Sequence, residues 1–197
     1  YPKRRFHMGS KYPEIWIQYS KAIPILGASM NYDYVGLTVQ KDEWSLGGMG
    51  LLTARAKFAI FPNTAEMEFM DFMHFAGNQT VYAKSGQQWR SYQLMPYYQC
   101  STNEWFAEAH LHHDFNGVLW NKLPYLKHLG FEVVAACHFL YTPDQGDYME
   151  FTIGLDRLGW KLLRFGRIDF ITAYQSGEQP RFGLVFGVDF RSEEHTS

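Results

Sequence analysis

The clearest pattern in the chain is an alternation of large apolar side chains with small or polar ones. It is most regular in residues 181–190, where every second residue is large and apolar: Phe182, Leu184, Phe186, Val188 and Phe190. Because successive side chains of a strand point to opposite faces, this alternation predicts a β-strand with one apolar face. Two kinds of protein fit it: a soluble sandwich that turns this face inward, and a membrane barrel that turns it towards lipid.

The same alternation recurs along the chain and predicts about eight strands. We expect them at residues 14–20, 31–40, 51–61, 104–115, 131–141, 148–156, 165–174 and 181–190. Short connections alternate with longer polar ones, as in outer-membrane barrels with short periplasmic turns and long external loops. The sequence therefore predicts an all-β fold, the C-terminal part of an antiparallel transmembrane β-barrel. Since an incomplete barrel has two unpaired edges, an open curved sheet is the other form expected of this fragment.

Residues 62–103 interrupt the alternation and are rich in Met, Tyr and Gln. A connection of this length is usually either functional or disordered, and its aromatic content argues against disorder. We therefore expect a long ordered loop inserted into a barrel domain of residues 1–190, with a short helical turn near residues 66–72. Residues 116–130 carry leucines at helical spacing and predict a short amphipathic helix or a turn.

Composition narrows the function. The chain has 197 residues, a formal net charge of −2 and 18% aromatic residues. Near-neutral charge argues against a nucleic-acid partner, and the aromatic content is usual for a barrel with aromatic girdles. No apolar run approaches the roughly 18 residues of a transmembrane helix. Two cysteines, Cys100 and Cys137, are too few for a disulfide framework, although a bridge between them stays open.

Neither end of the chain has the expected form. It begins at Tyr1 without a leader, so we expect an N-terminal portion to precede it. Residues 191–197, RSEEHTS, break the pattern and resemble the translation of a common sequencing adapter. We exclude this non-native, adapter-like tail from the fold; the alternative is a short disordered polar tail.

Two strings resemble a known family: HDFNGVLWNKLPYLKHLGFE from His113, and DYMEFTIGLDRLGWKLLRFGRIDF from Asp147. They are similar to the C-terminal barrel of Bacteroidota outer-membrane proteins of unknown function, which often carry an N-terminal carboxypeptidase-regulatory-like domain. That family is in turn similar to the BamA/TamA outer-membrane assembly superfamily. The resemblance implies the outer membrane of a Gram-negative bacterium, a non-enzymatic role in assembly or translocation of protein or lipid, and no cofactor. The implied partners are outer-membrane lipid and client outer-membrane proteins or periplasmic proteins.

The same resemblance implies roles for particular residues. In BamA-like barrels a long loop before the last five strands folds back into the lumen, which makes Gly77, Asn78 and Arg90 lumen-loop residues here. The Arg-Gly-aromatic triplet of those loops is absent from this chain. The spaced aromatics Phe182, Phe186 and Phe190 resemble the C-terminal signal by which barrels are recognised for insertion. A structural or pore-forming barrel without an assembly role is the alternative.

Arg167 and Asp169 share one face of a predicted strand, opposite Ile168 and Phe170. They are expected in the lumen, where they would form an ion path, clamp the long loop, or compensate each other's charge in a wet interior.

A second alternative function comes from the string His110-Leu111-His112-His113-Asp114, which matches H-x-H-x-D. On a strand, His110, His112 and Asp114 share one face, so they could hold a metal ion in a metal-dependent hydrolase. The sixth position of the metallo-β-lactamase-type motif is Phe115 instead of His. The other interpretation is a row of polar lumen residues that hydrogen-bond across the wall, with no metal bound.

Overall fold

The computed structural model describes residues 11–24, 30–77, 82–84, 90–115, 131–160 and 163–188. Several predicted features lie outside these residues: Asn78, Phe190, the helix or turn of residues 116–130 and the tail of residues 191–197.

The described residues form nine strands in one sheet. Their bounds are β1 Glu14–Ala22, β2 Asn31–Ser45, β3 Leu51–Glu66, β4 Tyr82–Lys84, β5 Trp105–Asp114, β6 Glu132–Thr142, β7 Gly146–Trp160, β8 Leu163–Gln175 and β9 Arg181–Val188. The spatial order is β1-β2-β3-β5-β6-β7-β8-β9-β4. Eight strands pair antiparallel, and β4 pairs parallel with β9. The all-β prediction and the eight predicted strands are confirmed, and within the described residues no ladder joins β1 to β4.

The two faces of the sheet have opposite character. One face, which we call the covered face, has the loop between β3 and β5 packed against it; Glu150 and Ile171 there are fully buried, at 0% exposure. The other, which we call the open face, presents large apolar side chains, such as Ile153 at 63% and Phe182 at 67% exposure. Register keeps the faces separate, since Ile153 lies opposite Phe170 and Thr152 opposite Ile171. The alternation therefore predicted the faces correctly.

Three strands, β2, β3 and β7, run clearly further than the sequence pattern predicted; β7 begins at Gly146 and ends at Trp160. β2 continues to Ser45 because the pairing with β3 skips the polar residues between Lys41 and Trp44, where Glu43 has a φ of 46°, and then resumes at Trp44. β3 continues through Pro62 to Glu66. Proline is tolerated there because Ile60 pairs with Val35 and Asn63 with Asp33, so the ladder is already irregular at this point.

The long loop is ordered where it is described, and it contains more structure than predicted. A 3₁₀ helix at Phe69–Asp71 confirms the short helical turn. The strand β4, of three residues, was missed because so short a segment carries no readable period. The two cysteines lie on opposite sides of the sheet. Cys100 is buried in the loop and Cys137 points to the open face, so the sheet separates them and both thiols are free. The described part of the chain contains no helix whose length and hydropathy would let it span a bilayer.

Candidate functional site

The loop is held in shape by its own main-chain contacts. Met73 and Thr102 exchange two hydrogen bonds, Met73 N to Thr102 O at 2.9 Å and Thr102 N to Met73 O at 3.2 Å. Further in, Gly77 bridges to Tyr92. A Cβ on Gly77 would lie 2.7 Å from the carbonyl oxygen of Met95, so a larger residue would push the two segments apart. Gly77 is thus buried within the loop, whereas Arg90 is exposed.

Glu150 of β7 fastens this loop to the covered face. Its Oε2 accepts a hydrogen bond from the main-chain amide of Gln93 at 2.7 Å, and its Oε1 accepts one from the amide of Leu94 at 2.8 Å. The hydroxyl of Tyr148, two residues earlier on the same face, also donates to Oε1. A carboxylate is an acceptor only, so three donors match it. Because hydrogen bonds to a buried charged group are among the stronger ones, this cluster anchors the loop.

Tyr92 completes the anchor with an aromatic contact. Its ring packs edge-on against Tyr148 with the centroids 5.7 Å apart, and lies 5.2 Å from the imidazole of His110. Its hydroxyl donates to the main-chain carbonyl of Phe139 at 3.0 Å. The fully buried ring therefore packs against β5, β6 and β7, and its hydroxyl has a hydrogen-bond partner in β6.

His110 and His138 form a buried pair beneath Tyr92. Their Nδ1 atoms are 2.8 Å apart, and Nε2 of His110 lies 2.9 Å from Oε1 of Glu108. If His110 is neutral and donates from Nε2 to the carboxylate, its Nδ1 must accept the proton of His138 Nδ1. Glu108, His110 and His138 thus form one hydrogen-bonded polar row on the covered face.

The H-x-H-x-D residues share the covered face, but they face different partners. His110 uses both ring nitrogens in the contacts above, and His112 faces a small cavity beside Arg167 and Asp169. Asp114 is the last residue of β5. Within the described ranges, no group of three or more His, Cys, Asp or Glu side chains is placed to hold a metal ion.

Arg167 and Asp169 form a buried ion pair on β8. Nε of Arg167 lies 2.9 Å from Oδ1 and 2.8 Å from Oδ2 of Asp169. The two side chains therefore bind each other and not the loop. The residue that holds the loop amides is Glu150, and the Arg167–Asp169 pair lies next to it.

Strand β9 also contacts the loop, through Gly183. The methyl group Cδ2 of Leu94 lies over Gly183, where a Cβ would come within 2.4 Å of it. On the open face, Phe182 stacks on Phe170 with the ring centroids 6.3 Å apart, and Phe186 is also exposed. Sequence reasoning missed Tyr92, Gln93, Leu94, His138 and Tyr148 as site residues, and it did not single out Glu150 as the loop anchor. Only the small residue at position 183 of an otherwise regular strand hinted at a close neighbour.

The fold and the site together define an all-β protein in which an ordered loop is held against one face of a single sheet. A family model described as "Family of unknown function (DUF5686) C-terminal domain" matches residues 1–155. The chain belongs to this family, which confirms the predicted membership in a family of unknown function. No curated protein and no solved structure matched the sequence.

Proposed function

We propose that this chain forms part of a β-barrel in the outer membrane of a Gram-negative bacterium. Its role there is non-enzymatic: assembly or translocation of protein or lipid at that membrane, in the manner of the BamA/TamA superfamily. As the resemblance implies, the proposal includes an origin in Bacteroidota and an upstream carboxypeptidase-regulatory-like domain.

The apolar character of the open face supports the proposal that this face contacts lipid. Large apolar side chains recur on neighbouring strands of this face, with Phe151, Ile153, Phe170, Phe182 and Leu184 each 45% or more exposed. A soluble sheet would bury such a face against another layer, because contiguous apolar patches of this kind are unusual in water. In a bilayer the same face is favourable, and the strands can satisfy their main-chain groups within the sheet.

The anchored loop is the observation that carries the assembly role. It lies before the last five antiparallel strands, and Glu150, Tyr148 and Tyr92 hold it against the covered face. In the proposed barrel the covered face is the lumen wall, so the loop is a lumen plug. A plug held by side chains of the wall fits an assembly or translocation protein better than an open pore.

The experiment is depletion of the protein from its host, with the amounts of other outer-membrane proteins as the readout. We expect those amounts to fall, and a plasmid-borne wild-type copy to restore them. A copy carrying Glu150→Gln is expected to restore them poorly, and one carrying the surface substitution Glu178→Gln to restore them fully. Unchanged amounts after depletion would contradict the assembly role.

A structural or pore-forming barrel is the second candidate, and one observation favours it. Beside the loop, over β1–β3, lies an open, largely polar groove of about 700 Å³, lined by Gln18, Gln40, Arg55 and Arg90 among others. In a closed barrel such a space would form an aqueous path. Single-channel recording in planar bilayers separates the two candidates, because a steady open conductance in the wild-type protein would favour the pore.

A further inference from the structure

A small polar cavity lies between the loop and the wall. Its volume is about 10 Å³, and it is lined by residues of β5, β6, β7, β8 and the loop, including Gln93, His112, Thr152, Arg167 and Asp169. Among the described lining residues, Ala136 is the one apolar side chain. The cavity adjoins the Glu150 clamp through Gln93 and the histidine pair through His138, which both line it.

Thr152 brings a buried hydroxyl to the lining of this cavity. Its side chain is buried, with 5% exposure, and its Oγ1 has no hydrogen-bond partner among the described residues. A buried hydroxyl without a partner costs free energy, so such groups are nearly always satisfied by protein or by ordered water. On β7, Thr152 lies two residues from Glu150, on the covered face, and lines the cavity.

Arg167 brings a second set of donors to the same space. Its ion pair with Asp169 uses Nε, as the distances of 2.9 and 2.8 Å show. A guanidinium carries five N–H donors, so its terminal nitrogens can still bind an acceptor in the cavity that Arg167 lines. A ligand here must therefore accept hydrogen bonds from Arg167 while exchanging one with the hydroxyl of Thr152.

We infer that this cavity binds a single water molecule that links Thr152 to the Arg167–Asp169 pair beneath the loop. A space of about 10–15 Å³ is what one water needs, together with two to four polar partners. A water molecule both accepts and donates, which suits a lining that mixes a guanidinium, a carboxylate and a hydroxyl. The space is too small for an organic ligand and too polar to stay dry. This water extends the polar contact of the loop from Glu150 across to β8.

The first test is a structure of the detergent-solubilised protein at a resolution that shows ordered water. We expect one density peak within hydrogen-bond distance of both Thr152 Oγ1 and a terminal nitrogen of Arg167. The same peak is expected in Thr152→Ser, which keeps the hydroxyl. A cavity without such a peak would overturn the inference.

The second test measures how removal of a buried hydroxyl changes the thermal midpoint. Removing a hydroxyl that binds water lowers the midpoint, whereas removing one without a partner does not. Thr152→Val keeps the shape but removes the group that binds water, so we expect its thermal midpoint to fall by about 2–4 °C. Thr142 is the matched control, since its buried Oγ1 also lacks a partner among the described residues but does not line the cavity. Thr142→Val is expected to leave the midpoint unchanged or raise it. A midpoint for Thr152→Val that is equal to or above the wild-type value would contradict the bound water.

Discussion

The main-chain amide of Gln93 donates a hydrogen bond to Oε2 of Glu150 over 2.7 Å, joining two residues that are 57 positions apart in the sequence. The neighbouring amide of Leu94 binds the other carboxylate oxygen. A single side chain of β7 thus binds two consecutive main-chain amides of the loop. Proline is the substitution that removes a main-chain N–H, and it also fixes φ, so a change at Glu150 is the cleaner test of this contact.

Replacing Glu150 is expected to release the loop. Glu150→Gln puts an amide NH₂ where the carboxylate accepts from three donors, so at least one donor loses its acceptor. We expect a loss of about 1–3 kcal/mol in the free energy of unfolding. Chemical denaturation of the purified protein measures it, with Glu178→Gln, at an exposed position, as the control. Equal stability of Glu150→Gln and wild type would show that the carboxylate does not hold the loop.

Cys100 reports whether the loop is docked. Its side chain is 2% exposed, and burial raises the pKa of its thiol to about 11. Because the thiolate is the reactive form, only about one molecule in a thousand is reactive at pH 8, and the fraction rises as the pH approaches 11. In a Cys137→Ser background, iodoacetamide at pH 8 is therefore expected to leave Cys100 unmodified in the native protein and to modify it after unfolding.

Labelling of Cys100 also reports whether Glu150→Gln releases the loop. Combining Cys137→Ser with Glu150→Gln should make Cys100 react under native conditions, since the released loop no longer shields it. Rapid native labelling of Cys100 with Glu150 intact would contradict the packed loop.

Gly183 is expected to be sensitive to any added side chain. In Gly183→Ala the new Cβ would lie 2.4 Å from Cδ2 of Leu94, so this half-buried side chain must turn aside, at an expected cost of about 1 kcal/mol. Gly48 is the control, because a Cβ there meets nothing within 4 Å, so Gly48→Ala should be close to neutral. Trimming the neighbour in Gly183→Ala/Leu94→Ala should lessen the effect of the glycine substitution. Equal unfolding midpoints for Gly183→Ala and Gly48→Ala would argue against the contact.

The sequence predicted the strands and their faces well because alternation is local. Ile153, Phe170 and Phe182 fell on the expected face without any knowledge of what lies beside them. The strand ends were less predictable, since irregular pairing around Glu43 and Pro62 lets polar residues continue a strand.

The site could be predicted only in part. Arg167 and Asp169 were placed together correctly, because two residues on one strand face are neighbours by geometry alone. The contact of Gln93 and Leu94 with Glu150 depends on a chain reversal that no local pattern encodes. His110 and His112 suggested a metal site in the sequence, but the first lies against His138 and Glu108, which are brought together by strand pairing and by the two-residue repeat.

The central claim, that the open face contacts lipid, is tested most directly by spin labels on that face. In a cysteine-free background, labels at Ile153→Cys, Phe170→Cys and Phe182→Cys are compared in liposomes with one at Ser176→Cys, in the turn between β8 and β9. Oxygen concentrates in the bilayer and a water-soluble nickel chelate is excluded from it. The account predicts high oxygen and low nickel collision rates at the three strand positions, and the reverse at position 176. Nickel access at the strand positions, or shielding from both reagents, would contradict a lipid-facing sheet.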